Sequence, residues 1–110
     1  MYEYKAKLVR VIDGDTIVVM VDLGFNVHTK ESIRLLNTWA PERYTRRGKL
    51  VRLHTIYHLA MLGCYEDGEY LTIQTEYNKS FDRYLAHIFI DDIYINGVID
   101  DIIARVHGLT

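Results

Sequence analysis

What this chain has little of narrows it first. It has one cysteine, Cys64, so neither an intrachain disulfide nor a dithiol redox motif is possible. Cys64 follows an apolar stretch, where a packed thiol is expected rather than a reactive one. Its single proline is Pro41, and long runs on either side are therefore free of helix or strand breakers. No apolar window reaches the ~20 residues of a membrane-spanning helix. The opening Met1-Tyr2-Glu3-Tyr4-Lys5 holds no apolar segment of a secretory signal. The cytoplasm is the expected location, with a mature fragment of a longer precursor as the alternative. Nor does charge of one sign dominate: 13 Lys and Arg stand against 15 Asp and Glu, a net charge of −2. A protein built wholly to wrap nucleic acid would carry a basic balance. A disordered chain would lack the 49% hydrophobic content found here, which can offset the entropy of ordering. A single soluble domain over residues 1–110 is expected, long enough to bury a core unaided.

The charges that are present are unevenly placed. Arg43, Arg46, Arg47, Lys49 and Arg52 form a basic run without an intervening acid, while Asp91, Asp92, Asp100 and Asp101 gather near the C-terminus. A local basic face on a near-neutral protein can still steer a polyanion. Basic residues at a helix start oppose the helix dipole, so stability alone does not favour this run there. Contact with a nucleic-acid backbone is the functional reading, and a solvated helix end is the plain one.

Hydrophobic spacing sets the order of elements. Residues 4–12 alternate at first and then change phase between Val9 and Ile12, as a bulged strand does. Asp13-Gly14 signals a hairpin turn, and residues 16–21 read as a central strand. A turn at residues 22–26 leads to a third strand over 27–36. A loop around Pro41 follows. Leu50, Leu53, Tyr57 and Ala60, joined by Val51, Ile56 and Leu59, then recur at helical spacing, with Gly63 as the stop. Residues 71–74 and 84–90 read as fourth and fifth strands. Val98, Ile99, Ile102, Ile103 and Val106 mark a second helix, with Gly108 after its end. Three strands, a helix, two strands and a helix suit a mainly β (α+β) domain, an OB-fold five-stranded barrel with two helices. On periodicity alone an open α+β sheet ranks near it.

Four charged residues stand out: Asp15 after the first turn, Arg34 inside Ile33-Arg34-Leu35-Leu36, Glu42 after Pro41, and Arg83 at the start of the fifth strand. Singly, each has a plain explanation as a turn residue, an outward strand charge, a solvated acid or a strand cap. Together, the segments Val11-Ile12-Asp13-Gly14-Asp15-Thr16, Ile33-Arg34-Leu35-Leu36, Ala40-Pro41-Glu42 and Asp82-Arg83-Tyr84-Leu85-Ala86 resemble the staphylococcal nuclease family over most of the chain.

That resemblance implies an OB-fold barrel and a calcium-dependent phosphodiesterase, an endonuclease or exonuclease acting on DNA or RNA with little sequence preference. It implies Asp15 as metal ligand together with the backbone carbonyl of Ala40. It further implies Arg34 and Arg83 on the scissile phosphate and Glu42 as general base. The chemistry is self-consistent. Guanidinium groups meet phosphoryl oxygens with a fixed fork of donors, a carboxylate-held hard cation neutralises the same charge, and a carboxylate near the attacking water can take its proton. DNA or RNA would be the partner, with Arg43, Arg46, Arg47, Lys49, Arg52 and Tyr84 as further contacts and a monomer as the default state.

The chain departs from the family pattern at Trp39, where a second metal-binding aspartate is usual, and at Ala40, where threonine is usual. Asp82 stands where glycine is common, beside Arg83. Calcium affinity follows ligand charge, so Trp39 predicts weak binding unless Glu42, Asp13 or Asn37 assists. The chain also stops at Thr110, short of family aromatics that contact the base, so Tyr44, Tyr77 or Tyr84 would stack instead. The main rival is a non-catalytic OB-fold module that binds nucleic acid or protein. A second is an interaction domain using the acidic C-terminal face. His54 and His58 lie four residues apart on the predicted helix, a spacing that suits a metal, but no third ligand is evident and a solvated or packed pair is preferred.

Overall fold

The computed structural model describes residues 2–64, 68–76 and 84–109. The first strand, β1 (Tyr2–Asp13), points Ala6 and Leu8 inward and then skips to Val11. That three-residue step is the predicted change of phase. It appears as register shifts between Leu8 and Arg10 and between Val11 and Asp13 where β1 pairs with β2 (Thr16–Asp22). Each extra residue bends the strand, and a bent, long β1 can pair with β2 along its length and with β4 (Leu71–Glu76) near its start.

The Asp13-Gly14 signal marks a real two-residue turn, with Asp13 opposite Thr16. The glycine serves close packing rather than a left-handed backbone. A Cβ there would lie 3.0 Å from the Ala40 Cβ and closer still to Val51. At the next turn, Gly24, Phe25 and Asn26 all have positive φ, at 82°, 54° and 58°. Phe is a poor residue for that region, yet Phe25 is fully exposed. β3 (His28–Leu35) returns antiparallel to β2.

The barrel closes between β3 and β5 (Tyr84–Ile90), which run parallel through Ile33–Tyr84, Arg34–Leu85 and Leu35–Ala86. β5 also pairs with β4, giving a closed, mixed, five-stranded OB-like barrel. Closure removes free strand edges. A two-residue strand, β6 (Ile93–Tyr94), adds to β5. It is too short to leave a periodic signal.

Helix α1 (Arg46–Met61) is capped by Thr45, whose hydroxyl accepts from the Gly48 N–H at 3.0 Å. It ends at Leu62, before Gly63 with φ 80°, as its glycine predicts. The buried face overlaps the predicted one: Val51 and Leu59 are buried and Leu50 and Ile56 half-buried, as expected. Gly48, Val51, Thr55 and Leu59 face inward, while Leu53, Tyr57 and Ala60 are exposed. A side chain at Gly48 would collide with the Glu42 carbonyl. The helix thus approaches the Glu42 loop closely at Gly48, where the absence of a side chain permits it. Helix α2 (Ile95–Leu109) starts earlier than predicted and contains Gly108 rather than ending before it. Its Ile95, Ile99, Ile102 and Val106 are buried, the stripe expected of an amphipathic helix. Leu59 and Cys64, with Ile95 and Ile99 of α2, complete the barrel core beside Leu35, Ile73 and Ile88. No helix among the described residues is long and apolar enough to cross a membrane.

Candidate active site

Asp15 occupies the β1–β2 turn, and its backbone carbonyl accepts from the Leu35 N–H at 2.8 Å. This bond joins the turn to the end of β3, where Thr16 and Arg34 are opposite each other in the ladder. The register therefore sets Arg34 beside Asp15, with 3.3 Å between the Arg34 Nη2 and the Asp15 Oδ2. The same Oδ2 accepts from the Ala40 N–H at 3.1 Å, and Oδ1 accepts from the Thr16 hydroxyl at 3.1 Å. Asp15 is buried and Arg34 half-buried, so the pair meets in a poorly hydrated rim where charge-assisted bonds are strong.

The structure brings together Asp15, Arg34 and Ala40 of the predicted set. Glu42 lies two residues beyond Ala40, and its backbone carbonyl accepts from the Thr45 N–H at 3.0 Å and the Thr45 hydroxyl at 2.7 Å. The Glu42 side chain is exposed. Trp39 is 72% exposed and contributes no oxygen to the rim. Arg83, Asp82 and Tyr77 lie outside the described residues.

The basic run divides. Arg43 donates to the Tyr44 hydroxyl at 2.8 Å and stacks over the same ring at 4.9 Å. Its pKa is raised by that hydrogen bond first, with smaller contributions from the charges of Asp13 and Glu42. Arg43, Tyr44, Lys49, Arg52 and Leu53 line a shallow basic hollow of about 380 Å³. Arg46 is exposed. Two of the predicted contacts are partly committed elsewhere. Arg52 donates from Nε to the Val11 carbonyl at 3.2 Å, and Arg47 lies 3.1 Å from the His107 ring. Tyr84 is not in the basic hollow; it opens β5 opposite Ile33 and borders a different cavity.

Sequence reasoning did not single out Asn96 as a site residue. It is buried, accepts the Ile88 N–H at 2.9 Å, and donates to the carbonyls of Leu36 at 2.8 Å and Ala86 at 3.1 Å. Asn96 thereby fixes the chain just after Arg34 against β5. Thr38 is fully buried, with its hydroxyl 3.3 Å from the Leu36 carbonyl. A lone Asn between Ile95 and Gly97 at a helix start was the available signal.

The other metal candidates stand apart from this rim. No group of three His, Cys, Asp or Glu able to hold a metal occurs among the described residues. The His58 Nδ1 lies 2.8 Å from the His54 carbonyl, the ordinary contact of a helical pair. At the acidic end, Asp100 is held above its ordinary pKa by partial loss of water and then by Asp101.

No family model matches the chain, and no curated protein matches it significantly.

Proposed function

We propose that this chain is a metal-assisted phosphodiesterase of the staphylococcal nuclease type, cutting DNA or RNA at the rim of its barrel. The observation that carries this reading is the Asp15–Arg34 pair, held at 3.3 Å by strand register and by the Ala40 N–H. An acid and an arginine fixed side by side, next to a basic hollow, suit a substrate that brings both negative charge and a counter-cation.

The donor set for a cation is thin. The Asp15 carboxylate already accepts two hydrogen bonds and pairs with Arg34, and the Trp39 side chain offers no oxygen. What remains fits a hard ion such as Ca²⁺ held by the Asp15 carboxylate and the Ala40 carbonyl, with substrate oxygens and water completing its shell. When bound, such an ion supplies charge neutralisation at the phosphoryl oxygens. Arg34 and Arg83 would grip those oxygens and stabilise the charge that grows on them. Glu42 would accept the proton of the attacking water, and its loop is tied to Asp15 through Ala40, two residues earlier. Arg43, Arg46, Lys49 and the Tyr44 ring would guide the strand.

One observation favours a second reading. Asp15 is already engaged by Thr16, Ala40 and Arg34, which suits a strut that shapes a non-catalytic nucleic-acid-binding surface. Labelled single-stranded DNA incubated with Ca²⁺, Mg²⁺, Mn²⁺ or EDTA separates the two. Metal-dependent cutting is expected, reduced about a hundredfold or more in Arg34→Ala and Glu42→Gln with the circular dichroism spectrum unchanged. Binding that weakens with salt, without cutting under any metal, would replace the nuclease by the binding module.

A further inference from the structure

Among the described residues, the barrel end away from the helices is open. A cavity of about 590 Å³ enters it among the first residues of β1, β3 and β5 and the last of β2 and β4. Its lining is apolar and aromatic, with Tyr2, Tyr4 and Tyr84 around it and Ile73 at its side. The Tyr2 and Tyr4 rings lie 6.5 Å apart and inclined at 30°.

Inward positions along β3 fall at alternate residues, and Leu35 and Ile33 obey the rule by being buried and apolar. Glu31 and Thr29 sit on the same alternation and break it. Glu31 is the only acidic or basic side chain among the described residues lining the cavity. The Thr29 hydroxyl donates to the Glu31 Oε1 at 2.9 Å. No Lys or Arg pairs with Glu31 among the described residues. Glu31 is half-buried, and a carboxylate beside apolar and aromatic walls without a counter-charge is favourably placed to meet a cation.

The geometry points to a binding site for an alkylated ammonium group, a quaternary or tertiary amine head bordered by tyrosine rings with Glu31 as its counter-charge. Ring faces attract cations, most strongly where water is excluded. A methylated ammonium also loses little hydration on entry and fills apolar space with its methyl groups. A phosphate or a nucleic-acid strand is disfavoured by the same carboxylate. This site is separate from the Asp15–Arg34 rim, and neither reading depends on the other.

Choline is the direct probe, with 3,3-dimethylbutan-1-ol as its neutral isostere and acetyl-trimethyllysine amide as the same head on a side chain. Tyrosine ring resonances followed by NMR titration should saturate with choline, and the neutral isostere should bind at least fivefold more weakly. Glu31→Gln should weaken choline at least tenfold. Should that variant fail to fold, Tyr2→Ala at the exposed lip should weaken it at least threefold. The tighter of choline and the lysine derivative names the source of the head, free or peptide-borne. The assignment is overturned by equal binding of choline and its neutral isostere, by unchanged choline affinity in these variants, or by no saturation with either cation at millimolar concentration.

Discussion

Where α1 and α2 cover the barrel, Asn96, Thr55 and Cys64 are buried and hydrogen-bonded. Asn96 serves two carbonyls and an N–H, the Thr55 hydroxyl donates to the Val51 carbonyl at 2.7 Å, and the Cys64 thiol donates to the Leu59 carbonyl at 3.1 Å. At the opposite mouth Tyr2, Leu23 and Tyr84 stand exposed around a cavity, and Glu31 shares its carboxylate with one threonine. The difference teaches where stability is concentrated. A satisfied polar network in a dry interior is costly to break, whereas exposed residues at a rim can change with little effect. The covered end fixes the fold and the Asp15–Arg34 rim, and the open end is free to be shaped for a ligand.

Three measurements would break or sharpen that contrast. Asn96→Ala should have the largest effect. It strands the Ile88 N–H and takes one donor each from the Leu36 and Ala86 carbonyls, which keep the Thr38 hydroxyl and the Leu36 N–H respectively. A stranded buried group costs about 1–3 kcal/mol and a lost hydrogen bond about 0.5–1.5 kcal/mol. A loss of roughly 2–4 kcal/mol by urea denaturation is expected, and a loss below about 1 kcal/mol would show that the covered end is not the anchor.

The next effect is a pH dependence at the same end. Burial pushes the Cys64 thiol up from 9.0 to about 11. A pKa raised in the folded state means that the neutral thiol stabilises the fold. That stability is complete below pH 9 and is lost as pH rises toward about 11. Its size is on the order of 2–3 kcal/mol. The decline in denaturation midpoint between pH 8.5 and 11 should be steeper for the parent protein than for Cys64→Ala. Parallel declines would remove this assignment.

The smallest effect belongs to the open end. Phe25 is fully exposed at a φ of 54°, so Phe25→Asn should shift stability by no more than about 0.5 kcal/mol, in the stabilising direction. A loss above about 1 kcal/mol in a thermal melt would mean that the hairpin tip packs more firmly than its exposure implies.

Much of this was legible in the chain. The phase change after Leu8, the turn at Asp13-Gly14, the stop at Gly63 and the stripe of α2 are local patterns, and each appears where local spacing puts it. The face of α1 was legible only in part, through Val51 and Leu59. Apolar residues occur all round that helix, and the docking face was chosen by Gly48, Val51 and Thr55, which fit closely beneath Glu42 and Gly14. Periodicity counts apolar residues and does not see how near two backbones can come. At the candidate site, Asp15 and Arg34 stood out as charges in unusual places. The role of Asn96 did not, because it ties β5 to Leu36, 60 residues away along the chain.

The sequence by itself determined the class and order of the elements, since strand alternation, helical spacing and turn residues act over a few neighbours. It also marked the charged residues whose chemistry suits a phosphodiester. Only the tertiary structure decided that β3 and β5 close the barrel in parallel, that the β2–β3 register joins Arg34 to Asp15, and that one mouth is open around Glu31 among the described residues. Those are contacts between distant segments, and they depend on which surfaces can approach once the core is packed.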